Sequence, residues 1–451
     1  NTTLKLMFNK KFSVHVSKKI SNFKKVIEID SDKSISIRSL IIGAISRNIS
    51  EIKNILESDD VYSTIECLKK LGVKIKKLGK KHYEIYGKGI GSLYIKKNST
   101  LNFGNSGTLA RLLIGVLSTT PNIHVKILGD HSLNKRKMKE LTQLMSKFGA
   151  EFYPKKKINF PLSLVSSSIP IGISYKSRVS AQLKSAVILA GLNSFGITTV
   201  IEKNKSRDHT ENFLLKNSNV IKIKKNIIKI NGKEHLDQFK LHVPGDPSSA
   251  AFFVALTLLN KNSFLKIKNV GLNKRRTGFY NLLRKSGAKI KFKNLKKINN
   301  EIVGDIEVFS GKIKPIKASS DYYVSATDEY PIMFVIAALT NGISIFKGIG
   351  GLANKESNRI TEMGRILKQA GVKCIIKKDE MKIFGKEKFS IKNKLISVSN
   401  LGDHRICMSS TILSLITGIK SNIKNFETVG TSSPSFLKTI RQIGGKFEIK
   451  K

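Results

Sequence analysis

The chain has 451 residues, 40% of them hydrophobic and 7% aromatic, which is enough apolar material for two cores and excludes a disordered or fibrous chain. Its formal charge of +49 would suit nucleic acid, yet 68 of the 81 basic residues are lysines scattered along the whole length beside abundant Ile and Asn, amino acids with AT-rich codons. Trp is absent and the aromatics are not interleaved with basic runs as a stacking platform requires, so the charge is read as a solvated surface and no nucleic-acid partner is expected.

No apolar run reaches the ~18 residues that a membrane-spanning helix needs, and the longest, 252–259 and 332–339, read as buried helix cores. The basic N-terminal residues are not followed by an apolar stretch and cleavage site, which argues against a secretory signal and for a cytoplasmic location. Three cysteines, Cys67, Cys374 and Cys407, are odd in number and far apart, so a disulfide framework is not expected and buried thiols are. No Cys/His cluster has metal-ligand spacing and no glycine run forms a dinucleotide or P-loop fingerprint, so neither metal nor cofactor is expected.

In chain order, residues ahead of Asp32 read as strands, including the alternating run 26–29. At Asp32-Lys33-Ser34-Ile35-Ser36-Ile37-Arg38 an acid, hydroxyls and two cations precede an apolar run. This is the pattern of a helix start built to hold an anion, with Ser34 placed to cap. The idea recurs at Gly104-Asn105-Ser106-Gly107-Thr108, Ser180-Ala181-Gln182, Gly245-Asp246-Pro247-Ser248-Ser249, Asp328-Glu329-Tyr330-Pro331 and Asp403-His404-Arg405. Gly129–Lys137, with His131 and Arg136, reads as a mobile cationic loop.

Each polar-headed helix is followed by a second signal, a glycine after an apolar helix, at Gly72, Gly149, Gly287, Gly371 and Gly444. Asn219 takes that place in the third unit, as the residue that substitutes for glycine in the left-handed region. A period of roughly 70–80 residues over six copies demands a repeat reading: six βαβαββ-like units, three to each of two domains. The fold class is α/β.

Arginine is scarce, and Arg38, Arg111, Arg136, Arg207, Arg359 and Arg405 all stand in polar, turn-like or helix-start segments. A guanidinium presents a planar fork to carboxylate and phosphate that lysine does not, so these six are candidates for gripping a doubly anionic substrate.

Taken together, Lys33-Ser34-x-Ser36-x-Arg38, Gly104-Asn105-x-Gly107-Thr108, Leu133-x-x-Arg136, Ser180-Ala181-Gln182-x-Lys184-Ser185, Ser206-Arg207-Asp208-His209-Thr210-Glu211, Asp328-Glu329-Tyr330-Pro331, Lys355-Glu356-Ser357-x-Arg359 and Asp403-His404-Arg405 resemble the 5-enolpyruvylshikimate-3-phosphate synthases. The likeness is to the bacterial branch with a Ser-Ala-Gln motif and extends over nearly the full length. It implies two similar inverse α/β barrel domains of the enolpyruvyl transferase fold. One domain would be residues 33–243; the other would be 1–32 with 244–451, and the active site would lie in the cleft between them.

The implied activity is transfer of the enolpyruvyl group of phosphoenolpyruvate to the 5-hydroxyl of shikimate 3-phosphate with release of phosphate, by a monomer without cofactor. The resemblance assigns Lys33, Ser34, Arg38, Ser180, Ala181, Gln182, Arg207, Asp328 and Lys355 to shikimate 3-phosphate. It assigns Lys33, Gly107, Arg136, Gln182, Arg359 and Arg405 to phosphoenolpyruvate, and acid–base work to Asp328, Glu356 and Lys33. Gly107 also implies sensitivity to glyphosate.

The chain departs from the family pattern at Asp30-Ser31, where Pro-Gly is usual, at Lys137 for Pro and at Asn358 for Asp. The segment Thr431-Ser432-Ser433-Pro434 lacks the usual Phe and a lysine that some relatives have. Two rival readings fit parts of the chain. A UDP-N-acetylglucosamine enolpyruvyl transferase would carry a Cys within Gly129–Lys137 and Asn in place of Ser34, and a basic nucleic-acid-binding module would bind DNA in a salt-dependent way without turnover.

Overall fold

The computed structural model describes residues 11–96, 99–178, 180–392, 394–399 and 401–450. The chain forms two compact units. One comprises Ser31–Val243 with the short stretch Ile298–Glu301; the other comprises the described part of Asn1–Asp30 with Pro244–Lys297 and Ile302–Lys451. Each unit closes around its own apolar core.

The helices of the first unit are α1 (Lys33–Ile45), α2 (Asp59–Lys70), α3 (Gly107–Thr119), α4 (His131–Lys135), α5 (Lys139–Ser146), α6 (Ala181–Gly191) and α7 (His209–Leu214). Those of the second are α8 (Pro247–Leu259), α9 (Gly278–Lys285), α10 (Tyr322–Ala326), α11 (Tyr330–Ala338), α12 (Arg359–Gln369), α13 (His404–Thr417) and α14 (Phe436–Gln442). The six polar-headed helices of the sequence are α1, α3, α6, α8, α11 and α13. They are apolar nearly all round, and in α8, α11 and α13 almost every residue is buried, the state expected of a helix that runs through a core. At the crossing of α3 and α6 a Cβ on Gly115 would stand 2.5 Å from the Ala186 carbonyl oxygen, so glycine sets how closely these helices approach.

Capping differs from the sequence reading at the first helix. Asp32, not Ser34, accepts the Ile35 N–H at 2.8 Å, because Asp32 has the extended backbone of an N-cap whereas Ser34 is already inside the helix. Ser106, Ser180, Asp246 and Asp403 cap α3, α6, α8 and α13 in the same way. The segment read as a mobile loop contains the short helix α4, capped by Asp130 and tied by Gly129 N–H to the Asn134 side chain at 2.9 Å.

After the second helix of five units, Gly72, Gly149, Gly287, Gly371 and Gly444 adopt φ between 78° and 98°, the left-handed turn that glycine takes without a steric cost. Asn219 does not adopt it. There α7 ends early, at Leu214, and Asn219 instead donates its side-chain amide to Glu234 at 2.8 Å and accepts from the Asn231 side chain through its carbonyl.

Among the described residues six four-stranded sheets share one order, in which the strand leading into a helix head pairs in parallel with a strand that follows one, and two further strands complete the sheet. In each unit one of these parallel pairs joins strands far apart in sequence: Lys24–Ile27 pairs with Phe264–Gly271, and Lys240–His242 with Ile49–Lys53. The outermost strand of four sheets is rich in lysine, as in Lys74–Gly79, Ile221–Lys224, Ile290–Ile298 and Lys373–Lys377. Charge on a sheet edge discourages another strand from adding there, which gives the lysines on these four strands a structural reason.

Candidate functional site

The residues singled out in the sequence divide between the two units, and within each unit they converge. In the first unit Lys33, at the start of α1, directs its Nζ to Asp60 Oδ2 at 3.0 Å; Asp60, at the start of α2, is almost completely buried. The neighbouring Asp59 is pushed up to about 6, first by burial and then by the charge of Asp60. Ser34 follows in the first turn, half-buried.

Arg38 is 3% exposed, and its guanidinium donates from Nε to Thr210 Oγ1 at 3.0 Å, from Nη1 to the Ser34 carbonyl at 3.1 Å and from Nη2 to Ser185 Oγ at 3.3 Å. Thr210 in turn donates to Ser185 at 2.8 Å. Arg38 therefore ties α1 to α6 and α7, and every one of its nitrogens already has a protein partner.

At the head of α3 two guanidinium groups meet. An ideal Cβ on Gly107 would lie 2.7 Å from Arg136 Nη1 and 2.9 Å from Arg111 Nη1, so the absent side chain makes room for both. Arg111 donates to the Gly107 carbonyl at 3.0 Å, and Arg136 donates to Asn105 Oδ1 at 3.2 Å, with Asn105 held in turn by Asp130 at 2.8 Å. Two full positive charges beside free N–H groups at a helix N-terminus form an anion-binding arrangement.

Ser180 caps α6, Ala181 opens it, and Gln182 donates Nε2 to Thr108 Oγ1 at 3.0 Å, which joins the heads of α3 and α6. One turn further on, the fully buried Lys184 is gripped by Glu202 at 2.9 Å and Glu211 at 2.5 Å, and Glu202 also accepts from the Ser206 N–H and hydroxyl at 3.0 Å. Burial pushes the Glu211 carboxyl up against the opposing pull of Lys184. This cluster braces both ends of the segment that carries Arg207.

In the second unit Arg359 is the centre. It begins α12, where Asn358 accepts the Thr361 N–H at 3.2 Å, so the Asn that departs from the family pattern still caps. Its Nε and Nη2 reach the two Asp403 carboxylate oxygens at 2.9 and 3.2 Å, Nη2 also reaches Glu356 at 2.7 Å, and Nη1 lies 3.9 Å from Asp328. Burial opposes this charge, but Asp403 and Glu356 outweigh it and hold the guanidinium firmly protonated. Asp328 precedes Glu329, the N-cap position of α11, and its carboxylate is a quarter exposed.

Asp403 also caps α13 and accepts from Ser357 Oγ at 2.9 Å. Arg405, in the first turn of α13, is 4% exposed, and its Nε and Nη1 are buried with no hydrogen-bond partner among the described residues. Burying such donors unsatisfied is costly, so they are suited to an anion. Lys355 closes the short 3₁₀ turn Gly350–Asn354, half-buried.

Asp60 and Glu202 belong to these clusters and were not picked out from sequence, while Thr108, Asp403 and Glu211 stood there only inside helix-start and family motifs with no role of their own. Their residue types are common in helix starts, and only their three-dimensional partners distinguish them. Among the described residues no group of three or more His, Cys, Asp and Glu is arranged to hold a metal ion, and no helix is long and apolar enough to cross a membrane. Cys67 and Cys407 are buried free thiols, whereas Cys374 is only partly covered.

The family model described as EPSP synthase (3-phosphoshikimate 1-carboxyvinyltransferase) matches residues 17–440. The 3-phosphoshikimate 1-carboxyvinyltransferase of Zymomonas mobilis is 37% identical over 96% of this chain and 97% of its own length. An EPSP synthase structure from Acinetobacter baumannii superposes with a TM-score of 0.85 at 32% identity, covering 98% of this chain and all of its own. The enolpyruvyl transferase NikO from Streptomyces tendae shares the fold, with a TM-score of 0.75 at 10% identity over 98% of this chain and 99% of its own. With six repeats of one sheet order, helix heads that gather arginines, and a match over nearly its whole length, the chain belongs to the EPSP synthase family.

Proposed function

We propose that the protein is a 3-phosphoshikimate 1-carboxyvinyltransferase, which moves the enolpyruvyl group of phosphoenolpyruvate onto the 5-hydroxyl of shikimate 3-phosphate and releases inorganic phosphate. The reaction belongs to the shikimate route to chorismate and aromatic amino acids. The observation that carries the assignment of residues is the pair of guanidinium groups over Gly107, a cationic seat at a helix start that suits a phosphate or carboxylate.

Both substrates are phosphorylated acids, and the cationic groups match them. Lys33, Ser34, Arg38, Ser180, Ala181, Gln182, Arg207, Asp328 and Lys355 hold shikimate 3-phosphate. Lys33, Gly107, Arg136, Gln182, Arg359 and Arg405 hold phosphoenolpyruvate. The reaction calls on residues from both units, since Lys33 and Gly107 lie in one and Asp328, Glu356 and Arg405 in the other.

Chemically, the methylene carbon of phosphoenolpyruvate gains a proton while the attacking hydroxyl loses one, giving a tetrahedral adduct. Loss of phosphate and of a methyl proton then restores the double bond. Asp328 and Glu356, both beside the Arg359 guanidinium, and Lys33, beside Asp60, are the proton-handling groups. Arg359 and Arg405 neutralise the charge that phosphate carries as it leaves. We further propose that the enzyme works in the cytoplasm as a monomer.

Phosphate release measured with both substrates present, and with each omitted, tests the reading. Release that requires both supports it; release driven by UDP-N-acetylglucosamine in place of shikimate 3-phosphate, or none at all, refutes it.

A further inference from the structure

We propose that Asp30 is a positioning residue for Arg405, acting through two aromatic rings; the inference rests on the reading of Arg405 as a phosphoenolpyruvate ligand. Asp30 is 4% exposed and anchors the starts of two helices at once. Its backbone carbonyl accepts the N–H of Asp246, the cap of α8, at 2.9 Å. Its carboxylate accepts the N–H of Ser435, the residue before α14, at 2.8 Å and the Ser433 hydroxyl at 3.4 Å.

Those two helices supply a buried ring pair. Phe252 of α8 meets Phe436, the first residue of α14, edge to face at 6.2 Å, and Phe253 and Phe426 lie 5.5 and 6.3 Å from the same Phe436 ring. The Arg405 guanidinium carbon stands 5.8 Å from the centre of the Phe252 ring. A buried cation over a ring is held by the ring's quadrupole and by packing, and more strongly once water is excluded. With Nε and Nη1 making no hydrogen bond among the described residues, the aromatic floor is a main support that aims this guanidinium.

Asp30 thus sets where two helix starts sit relative to one another, the rings on those helices set each other, and the upper ring seats Arg405. Asp30 and the 431–434 turn are also two of the places where the sequence departs from the family pattern, and they are in direct hydrogen-bond contact.

The test compares Asp30→Ala, Asp30→Asn and Phe436→Leu in the full chain, with KM for each substrate and the thermal midpoint as readouts. Asp30→Ala and Phe436→Leu are expected to raise KM for phosphoenolpyruvate about fivefold or more, while KM for shikimate 3-phosphate stays within about twofold. Asp30→Asn, whose amide oxygen still accepts from Ser435, restores the native value. A native KM for phosphoenolpyruvate in both Asp30→Ala and Phe436→Leu overturns the proposal, as does an equal rise in both KM values with a lowered midpoint, the mark of mere support. Arg405→Lys serves as the control: if it alone raises that KM, only the Asp30 inference fails, and if it does not, the reading of Arg405 fails with it.

Discussion

Replacing Gly107 by Ala should separate substrate binding from folding. Gly107 opens α3 without a left-handed φ, so alanine fits the backbone there and even favours the helix. The added methyl would stand 2.7 Å from Arg136 Nη1 and 2.9 Å from Arg111 Nη1, inside van der Waals contact. Both are ends of flexible side chains, so they yield instead of the helix. The retreat is about 0.5–1 Å, enough to spoil a charge-assisted hydrogen bond.

Such a bond contributes about 1.5–3 kcal/mol, which corresponds to a rise of about 10–150-fold in KM for phosphoenolpyruvate. The assay is steady-state phosphate release with each substrate varied in turn, alongside thermal unfolding of both proteins. Glyphosate, expected to compete with phosphoenolpyruvate in the native chain, should inhibit the variant more weakly. A KM for phosphoenolpyruvate unchanged within about twofold, with native unfolding, would refute the placing of that substrate over Gly107.

Asp328→Ala should abolish phosphate release while the chain still folds, the side chain being a quarter exposed; near-native release would remove Asp328 from the chemistry. Lys184→Met leaves two buried carboxylates facing each other, so urea unfolding should report a loss of about 3–5 kcal/mol; a loss below about 1 kcal/mol would mean the cluster is not the brace described. The folded pKa of Asp59 lies above the ordinary carboxylate value, so the folded state binds its proton more tightly than the unfolded chain. Its contribution to stability is therefore lost as pH rises from the ordinary carboxylate range to about 6, and is level above that. Asp59→Asn should accordingly match the native chain in thermal unfolding under acid conditions and exceed it at neutral pH; an equal difference at both would contradict this.

The helix heads were legible because each joins a capping residue to an apolar run, two local signals that agree, and the glycines after the second helices were legible because a left-handed turn admits few residues. Where two residues could serve one local purpose, sequence alone did not choose. Asp32 and Ser34 are both capping types, and backbone geometry decided for Asp32. Asn219 suits a left-handed turn, but the early end of α7 moved the turn elsewhere. The allocation of Ile298–Glu301 to the first unit left no trace in the sequence, since Glu301 there accepts from His209 at 2.7 Å and Asn212 at 3.0 Å, partners about 90 residues away. In the candidate site the arginines were legible by their rarity. Asp60 was not, and Asp403 was legible only as a helix head and not as the partner of Arg359, because an acid at a helix start looks the same whether it holds a cation or only caps.

The lysine-bearing outer strands bear on how the protein keeps company with itself. Among the described residues each of the six ladders ends in two outer strands, and a cation standing on such a strand repels the matching strand of a second copy. The 11 lysines on those four strands, of the chain's 68, are then a colloidal property of the architecture, indifferent to any ligand. Acetylating the exposed amines in bulk would first be felt as copies adhering rim to rim.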